Sequence, residues 1–369
     1  MTFFIEYLLP FIIALTVLVF IHELGHYLPA RRFGVRVEVF SIGFGPEIFG
    51  FTDKAGTRWK FSLLPLGGYV RMYGDANAAS APDADLHSQM KVEEKALTLQ
   101  SKTPLQRSII SFGGPFANFL FAFVAMLFVF FLKGVPIEEV VVGSVSPDSI
   151  AASMGFKSGD RVISFNDQSL KNFREFRQKV RPFEGKKITF LVNREGEKKP
   201  QILSMTKEGG FAPPITLGIM PAQTRFEPAS MGAAFSQTLV SIVDMCEGIL
   251  RSISQVFTGE SKASDLGGIL AIGDMAGKSA QLSFTAFVMF LAALSINLGL
   301  LNLFPLPMLD GGHIMFYALE GIVGKPIPLK IQEYIYLAGF VVLASLMLYI
   351  TWNDLMRYKI IQTIAALFS

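Results

Sequence analysis

The sequence predicts an α-helical membrane protein that crosses the bilayer about four times and carries one extracytoplasmic α+β domain between its halves. Hydrophobic residues make up 51% of the 369-residue chain and the mean hydropathy is +0.44, which is high for a soluble protein. Four apolar stretches each approach the roughly 20 residues needed to span the hydrocarbon core. A net charge of +3 is too small to indicate nucleic-acid binding, and the single cysteine, Cys246, excludes an internal disulfide.

The predicted spans are Phe3–Leu28, Phe112–Leu132, Phe284–Phe304 and Tyr334–Trp352. Basic residues follow the first span and precede the second: Arg31, Arg32, Arg36, Lys102 and Arg107. By the positive-inside rule the segment between these spans is cytoplasmic, and the segment between spans two and three is extracytoplasmic. Arg357 and Lys359, after the last span, argue mildly against this orientation.

Four segments follow from this organisation. They are 1–134 with the first two spans and a β-rich cytoplasmic loop at 35–74, a soluble domain at 135–222, a linker at 223–282, and 283–369 with the last two spans.

In the predicted cytoplasmic segment, alternating or β-rich residues predict strands over Val35–Gly45 and Arg58–Gly74, with Gly67-Gly68 as a hairpin turn. Leu64-Pro65-Leu66 makes the approach to that turn apolar, which favours a membrane-associated β-hairpin that dips into the bilayer. A soluble cytoplasmic hairpin is the open alternative.

Strand-like and helix-like stretches alternate between Glu138 and Met205, with Ser149–Gly155 and Asn172–Val180 as short helices and an Asn166-Asp167 turn. The order Val-Ser-Pro-x-Ser-x-Ala from Val145, then Gly155, then Gly-Asp-x-Val from Gly159 resembles a PDZ domain of the circularly permuted bacterial type. Such domains bind peptides by adding a strand to a sheet edge.

The linker contains an amphipathic segment, Glu227–Gly259, whose apolar residues recur at spacings of three and four. Asp244, Glu247 and Arg251 lie on another face, which favours a helix lying in the membrane interface over a spanning one. A helix packed under the soluble domain is the alternative.

His22-Glu23-Leu24-Gly25-His26 ends the first apolar stretch and is the motif on which the functional prediction depends. On a helix, His22 and His26 lie one turn apart on one face, where both can ligate one Zn²⁺. Glu23 then lies beside the metal, where it can take a proton from water.

Asp310 follows the third span in Phe-Pro-Leu-Pro-Met-Leu-Asp-Gly-Gly, whose prolines and glycines must break a helix at membrane depth. A carboxylate in lipid is costly without a partner, so we expect Asp310 to be the third zinc ligand, with the fourth position open for water. Given the predicted orientation, His22, Asp310 and Asn118 fall at similar depth near the cytoplasmic side.

Together with Phe112-Gly113-Gly114-Pro115-x-x-Asn118 and Asn302-Leu-Phe-Pro-Leu-Pro-Met-Leu-Asp310-Gly-Gly-His, this motif resembles the site-2 protease family of intramembrane zinc metalloproteases. Leu66-Gly67-Gly68-Tyr69-Val70-Arg71-Met72 is similar to the re-entrant β-loop of that family. Within the family, the regulator of sigma-E protease (RseP) subgroup is the most similar, although the segment here has room for one PDZ copy rather than a tandem.

The resemblance implies a zinc metalloendopeptidase of a bacterial inner membrane, with Glu23 as the catalytic base and the cut near the cytoplasmic side. It implies as substrates single-span membrane proteins, such as anti-sigma factors already cut by another protease, and remnant signal peptides. It also implies that Asn118 and Asn302 orient the substrate backbone or stabilise the oxyanion, although both could simply bond between helices.

The hairpin adds further substrate-positioning candidates, because Gly67 and Gly68 could pair with an unwound substrate segment. Tyr69 and Arg71 are candidates for the same role, and ordinary interfacial anchoring is their alternative. For the whole chain, the alternatives are a PDZ-bearing membrane scaffold with a vestigial metal site, and a metal transporter. A transporter would need more acidic or histidine residues along its spans.

Overall fold

A computed structural model describes residues 4–75, 89–137, 140–147, 149–170, 172–197, 199–211, 215, 217–222, 225–259, 267–325 and 327–357. The small, polar segment 77–85, which the sequence predicts to be a flexible loop, lies outside the described residues. The chain divides into two compact units, one formed by Met1–Val129 with Phe235–Ser369 and the other by Phe130–Ala234. The second unit includes the segment 135–222, which the sequence predicts to be a soluble domain.

Long apolar helices dominate the first unit. In chain order the helices are α1 Leu9–Arg32, α2 Val92–Lys95, α3 Pro104–Lys133, α6 Met231–Phe257, α7 Ile269–Leu282, α8 Phe284–Asn302, α9 Asp310–Val323 and α10 Leu329–Arg357. A π-helical turn, Phe4–Leu8, leads into α1. Each predicted span coincides with one of these helices. Helices α1, α3 and α10 end beyond their predicted spans because backbone hydrogen bonding continues into polar residues, whereas α8 ends at Asn302, before the predicted end at Phe304.

Five helices in the described part of the chain are long and apolar enough to cross a membrane. Four correspond to the predicted spans, and the fifth is Met231–Val256, within the segment predicted to lie in the interface. Its mean hydropathy of 1.3 is well below the 2.0 to 2.3 of the others, because charged residues interrupt it. Its length and composition therefore permit a crossing, and the interfacial position stays a prediction.

The β-rich segment between the first two predicted spans forms a sheet from two long strands, β1 Val37–Thr52 and β2 Arg58–Met72. The first part of β1, residues 37–42, pairs with 68–72 on one side and with 58–61 on the other. The second part, residues 49–52, pairs with 58–61 across a turn at Asp53–Thr57.

This pairing differs from the predicted hairpin, in which the segments on either side of Gly67-Gly68 would pair with each other. In the structure both segments border residues 37–42, and Gly67 turns the chain with a φ of +111°. The central position buries Val37, Phe40 and Ile42. A two-stranded hairpin could not cover those side chains, which explains why both segments pair with residues 37–42 rather than with each other.

The sheet is fixed against α1 by an apolar cluster and by one carboxylate. Val70 and Met72 pack with Phe20, Leu24 and Tyr27 of α1.

Asp53, in the β1–β2 turn, accepts hydrogen bonds from the Tyr27 hydroxyl (3.2 Å) and the Trp59 indole (2.9 Å). Its partial burial would raise its pKa, but these bonds and two from backbone amides hold the pKa below its usual value. Since Tyr27 follows His26 directly, this network ties the sheet to the motif helix.

The second unit is an α/β domain. Its elements are β3 Val135–Ile137, β4 Val142–Val145, α4 Ile150–Ser153, β5 Arg161–Phe165, β6 Gln168–Ser169, α5 Phe173–Val180, β7 Gly185–Asn193, β8 Gln201–Phe211, β9 Ile219–Pro221 and β10 Arg225–Glu227. The strands form a sheet of order β6-β5-β7-β8 and two further pairs, β4-β9 and β3-β10. Ser149 and Asn172 cap the two helices through their side chains, at the positions that the sequence predicts.

A buried ion pair stabilises this domain. Both Asp160 oxygens accept hydrogen bonds from Arg194, at 2.6 and 2.7 Å. Burial of Asp160 would raise its pKa, but the Arg194 guanidinium outweighs this effect and lowers the pKa below its ordinary value.

Candidate active site

The two histidines of α1 turn the same ring atom toward a common point. The Nε2 atoms of His22 and His26 lie 3.2 Å apart. Both side chains are largely buried, and one turn of helix separates them as the motif predicts. Neither ring is free to swing, because each Nδ1 atom is held from α3.

Asp310 reaches the same point from a different part of the chain, at the start of α9. Its carboxylate oxygens lie 3.3 Å from Nε2 of His22 and 3.3 Å from Nε2 of His26. The break before α9 includes Met308 in the left-handed region, with a φ of +74°. Gly311 and Gly312 pack against backbone carbonyls of residues 303–306, where a Cβ atom would clash. The loop is therefore folded tightly enough to fix the direction of the aspartate.

These three donors fit a zinc ion. In a tetrahedral site with bonds of about 2.0–2.1 Å, neighbouring donor atoms are about 3.3–3.4 Å apart. The observed separations of 3.2, 3.3 and 3.3 Å match that spacing. Among the described residues, His22, His26 and Asp310 form a group that could hold a metal ion. Two histidines and one carboxylate are a ligand set typical of catalytic zinc sites, in which water takes the fourth position.

Helix α3 supplies the groups that hold the histidines. His26 Nδ1 lies 2.9 Å from the backbone carbonyl of Ile110, and His22 Nδ1 lies 3.0 Å from the Asn118 side chain. Gly114 lies between them, directly against both imidazole rings. Glycine is required here, since a side chain would occupy the space of the rings. One residue earlier, Gly113 meets Gly25 of α1 backbone to backbone, which allows the two helices to approach this closely.

Glu23 lies on the side of α1 that faces the sheet. Its carboxylate accepts a hydrogen bond from the backbone of Val70, and His26 and Asp310 are close enough to act on its charge. The predicted catalytic base is thus half-buried between the three ligands and the 68–72 segment of β2.

Of the remaining predicted residues, Asn118 contacts His22 at 3.0 Å. Asn302 is the last residue of α8, and its role toward the substrate stays a prediction. Helix α8 contacts the site indirectly, because Ser295 donates a hydrogen bond to the Asn118 carbonyl at 2.9 Å.

Gly67, Gly68, Tyr69 and Arg71 lie at the edge of the sheet beside α1. A Cβ on Gly68 would meet Val19 of α1, so this segment approaches the motif helix closely. Tyr69 stacks on Phe44, and Arg71 pairs with Glu38 at 3.3 Å. The side chains of Tyr69 and Arg71 thus have partners within the sheet, whereas Val70 and Met72 of the same segment pack against α1.

Two features of the site were not among the predicted residues. Gly114 could be identified only as part of a motif, because glycine has no side-chain group from which a role could be predicted. The Ile110 carbonyl is a backbone group, and every residue has one, so the sequence could not mark this carbonyl as a partner of His26. His313 bonds to the Tyr336 hydroxyl at 3.2 Å and is not one of the three residues that could hold a metal ion.

Comparison with known proteins agrees with this geometry. The profile of peptidase family M50 matches residues 10–346. A protein of Agrobacterium fabrum, whose name assigns it provisionally to the zinc metalloproteases, is 39% identical over 363 residues and 96% of each chain. Metalloprotease MmpA of Caulobacter vibrioides is 32% identical over 99% of each chain. Zinc metalloprotease RasP of Geobacillus kaustophilus is 30% identical over 96% of this chain and 99% of its own.

Proposed function

The chain belongs to peptidase family M50 and is an intramembrane metalloprotease, and we propose that its metal is zinc and that its substrates are the membrane-spanning segments of other proteins. The observation that carries this proposal is the convergence of two imidazole nitrogens and one carboxylate on a single point, at tetrahedral spacing, beside an acidic side chain.

His22, His26 and Asp310 would hold the metal. Zinc supplies Lewis acidity when bound: it polarises the scissile carbonyl and makes water a stronger acid. The names of several relatives include zinc, which agrees with the donor set of this chain. Two nitrogens and one carboxylate also suit zinc better than magnesium or calcium, which prefer all-oxygen sites.

Glu23 acts as the general base and then as the general acid. It takes a proton from the attacking water and delivers it to the departing amine, so that one side chain serves both proton transfers. The carboxylate can stay in place during this exchange because the Val70 backbone holds it from the sheet side.

The substrate would bind as an added strand along residues 68–72. This segment pairs with β1 on one side, and no strand among the described residues pairs with its other side. A helical substrate has its amides bonded internally and must unwind before attack. An extended segment in lipid would then need new backbone partners, and an open strand edge next to Glu23 provides them. Pairing of this kind uses the backbone of Tyr69 and Arg71, not their side chains.

Apolar side chains on the outer part of the sheet suit a position at the membrane. Ile48, Phe49 and Phe51 are 68%, 59% and 49% exposed, and such large residues seldom face water together. We therefore retain the proposal that the sheet enters the bilayer from the cytoplasmic side of a bacterial inner membrane.

For the second unit we retain the PDZ-like interpretation and the extracytoplasmic location. Its role would be to bind or screen the outer end of a substrate already shortened by another protease. Single-span anti-sigma factors and remnant signal peptides have the required form, a short membrane segment with little chain outside.

Substitution of Glu23 tests the chemistry. Glu23→Gln should abolish cleavage of a single-span reporter in proteoliposomes while zinc stays bound, because the amide cannot accept the proton. Glu247→Gln, the same change on exposed residue 247 of α6, serves as the matched control and should cleave normally. Undiminished cleavage by the Glu23 variant would contradict the proposed mechanism.

Substitution of Asp310 tests the ligand set. Asp310→Ala removes one of three donors, so the purified protein should contain much less zinc when metal is measured by mass spectrometry. A full complement of zinc in this variant would remove Asp310 from the ligands and leave the third donor unidentified.

A further inference from the structure

We infer that Asn118 is a positioning residue for the metal ligand His22: its side-chain oxygen accepts a hydrogen bond from Nδ1–H and so keeps Nε2 available for the metal. The inference rests on the proposed zinc site and assigns Asn118 a role different from contact with the substrate.

His26 provides the reference for this argument. Its Nδ1 atom lies 2.9 Å from the Ile110 carbonyl, which can only accept a hydrogen bond. Nδ1 must therefore carry the proton, and Nε2 is left with the lone pair that a metal binds. A backbone carbonyl that fixes a ligating histidine in this way is a common arrangement around zinc.

His22 faces the same requirement. Its Nε2 atom lies 3.3 Å from Asp310 and points to the same place as that of His26, so its Nδ1 atom must also carry the proton and donate. The atom 3.0 Å from Nδ1 is Nδ2 of Asn118, which is itself a donor. Two donors cannot share a hydrogen bond once Nε2 binds a metal.

The Asn118 oxygen resolves this conflict. Oδ1 is buried and has no hydrogen-bond partner among the described residues. The two ends of an amide side chain have nearly the same shape, and their assignment follows from the bonds they make. A half-turn of the amide brings Oδ1 to the protonated Nδ1 atom and leaves the amino group where the unpaired oxygen was.

Packing allows Asn118 this rotation and little else. The residue is 0% exposed, and Ser295 of α8 bonds to its backbone carbonyl. Gly299 of α8 approaches its Cβ atom so closely that a side chain there would lie 3.3 Å away. Helix α8 thus contacts both the backbone and the Cβ of Asn118, and these contacts hold the amide beside the His22 ring.

Two substitutions separate the oxygen from the amino group. Asn118→Asp keeps an acceptor facing Nδ1–H and cannot donate, whereas Asn118→Leu has nearly the same volume and can do neither. We would introduce each into the full chain carrying Glu23→Gln, so that metal binding is measured without turnover. The readouts are zinc affinity by chelator competition and the visible spectrum of the cobalt-substituted protein.

We expect Asn118→Leu to weaken zinc binding by about 10–100-fold and to alter the cobalt spectrum, as loss of such a partner typically does. Asn118→Asp should remain within a few-fold of the parent. If the leucine variant does not fold, Asn118→Ala makes the same deletion without added bulk.

Three results would decide against the inference. Unchanged affinity in the deletion variants would mean that His22 needs no partner, and equal losses in the Asp and Leu variants would mean that the amino group is the part that matters. Absence of zinc from the Glu23→Gln parent would overturn the proposed function itself, and this inference with it.

Discussion

Replacement of Gly114 by alanine should disable the metal site although the change adds a single methyl group. A Cβ atom at this position would lie 2.6 Å from Cε1 of His26 and 2.8 Å from Cε1 of His22. Carbon atoms in contact rest about 3.5–4.0 Å apart, so the rings or the helix would have to move by about 1 Å.

The helix cannot supply that movement easily. Gly113 and Gly25 already bring the backbones of α3 and α1 into contact one residue away. The imidazoles must move instead, and they are held by Ile110 and Asn118. Overpacking of this kind costs about 1–3 kcal/mol, which corresponds to a loss of about 5–150-fold in zinc affinity.

The assay is zinc content and affinity of the purified protein, with cleavage of the single-span reporter as a second readout. Gly248→Ala is the matched control, since no atom lies within 4 Å of the position its Cβ would occupy. We expect the control to behave as the parent protein does. Normal zinc binding and cleavage by Gly114→Ala would refute the claim that α3 holds the histidines by close contact.

Two further predictions concern carboxylates outside the active site. Asp160 has a folded-state pKa below its ordinary value of 3.8, so its ion pair with Arg194 adds stability above about pH 4 that is lost as the pH falls through the lower pKa. At pH 7, a protease should therefore cut the second unit faster in Asp160→Asn than in the parent chain, and this difference should shrink on acidification. Asp354 of α10 caps the start of α7 by accepting hydrogen bonds from its backbone amides, the shortest from Leu270 at 3.1 Å. Asp354→Ala should therefore speed hydrogen exchange at those amides, and unchanged exchange would show that this cap does not stabilise α7.

The sequence could predict the candidate ligands because each follows from a pattern of neighbouring residues. His22 and His26 are four residues apart, and a helix must bring them to one face. Asp310 could be predicted as the third ligand because the prolines and glycines around it break a helix at membrane depth, where a carboxylate without a partner has a high free-energy cost. Neither inference required knowledge of how the helices pack, and the structure brings the three side chains together.

The sheet and the supporting groups could not be derived in this way. Residues on both sides of Gly67 have the alternation of a hairpin, and only the burial of residues 37–42 decides that they border a third segment instead. The role of Gly114 depends on the crossing of α1 and α3, which is a tertiary property. The same holds for Ser295, whose contact with Asn118 joins residues far apart in the chain.

The order of the ligands along the chain also affects when the enzyme becomes active during its synthesis. Roughly 280 residues separate His26 from Asp310, and at about 5–20 residues per second a ribosome needs roughly 15–60 s to make them. Throughout that interval the nascent chain holds both histidines and Glu23 but lacks Asp310. With the proposed ligand set, the metal site therefore stays incomplete until the second compact unit and α8 have been made.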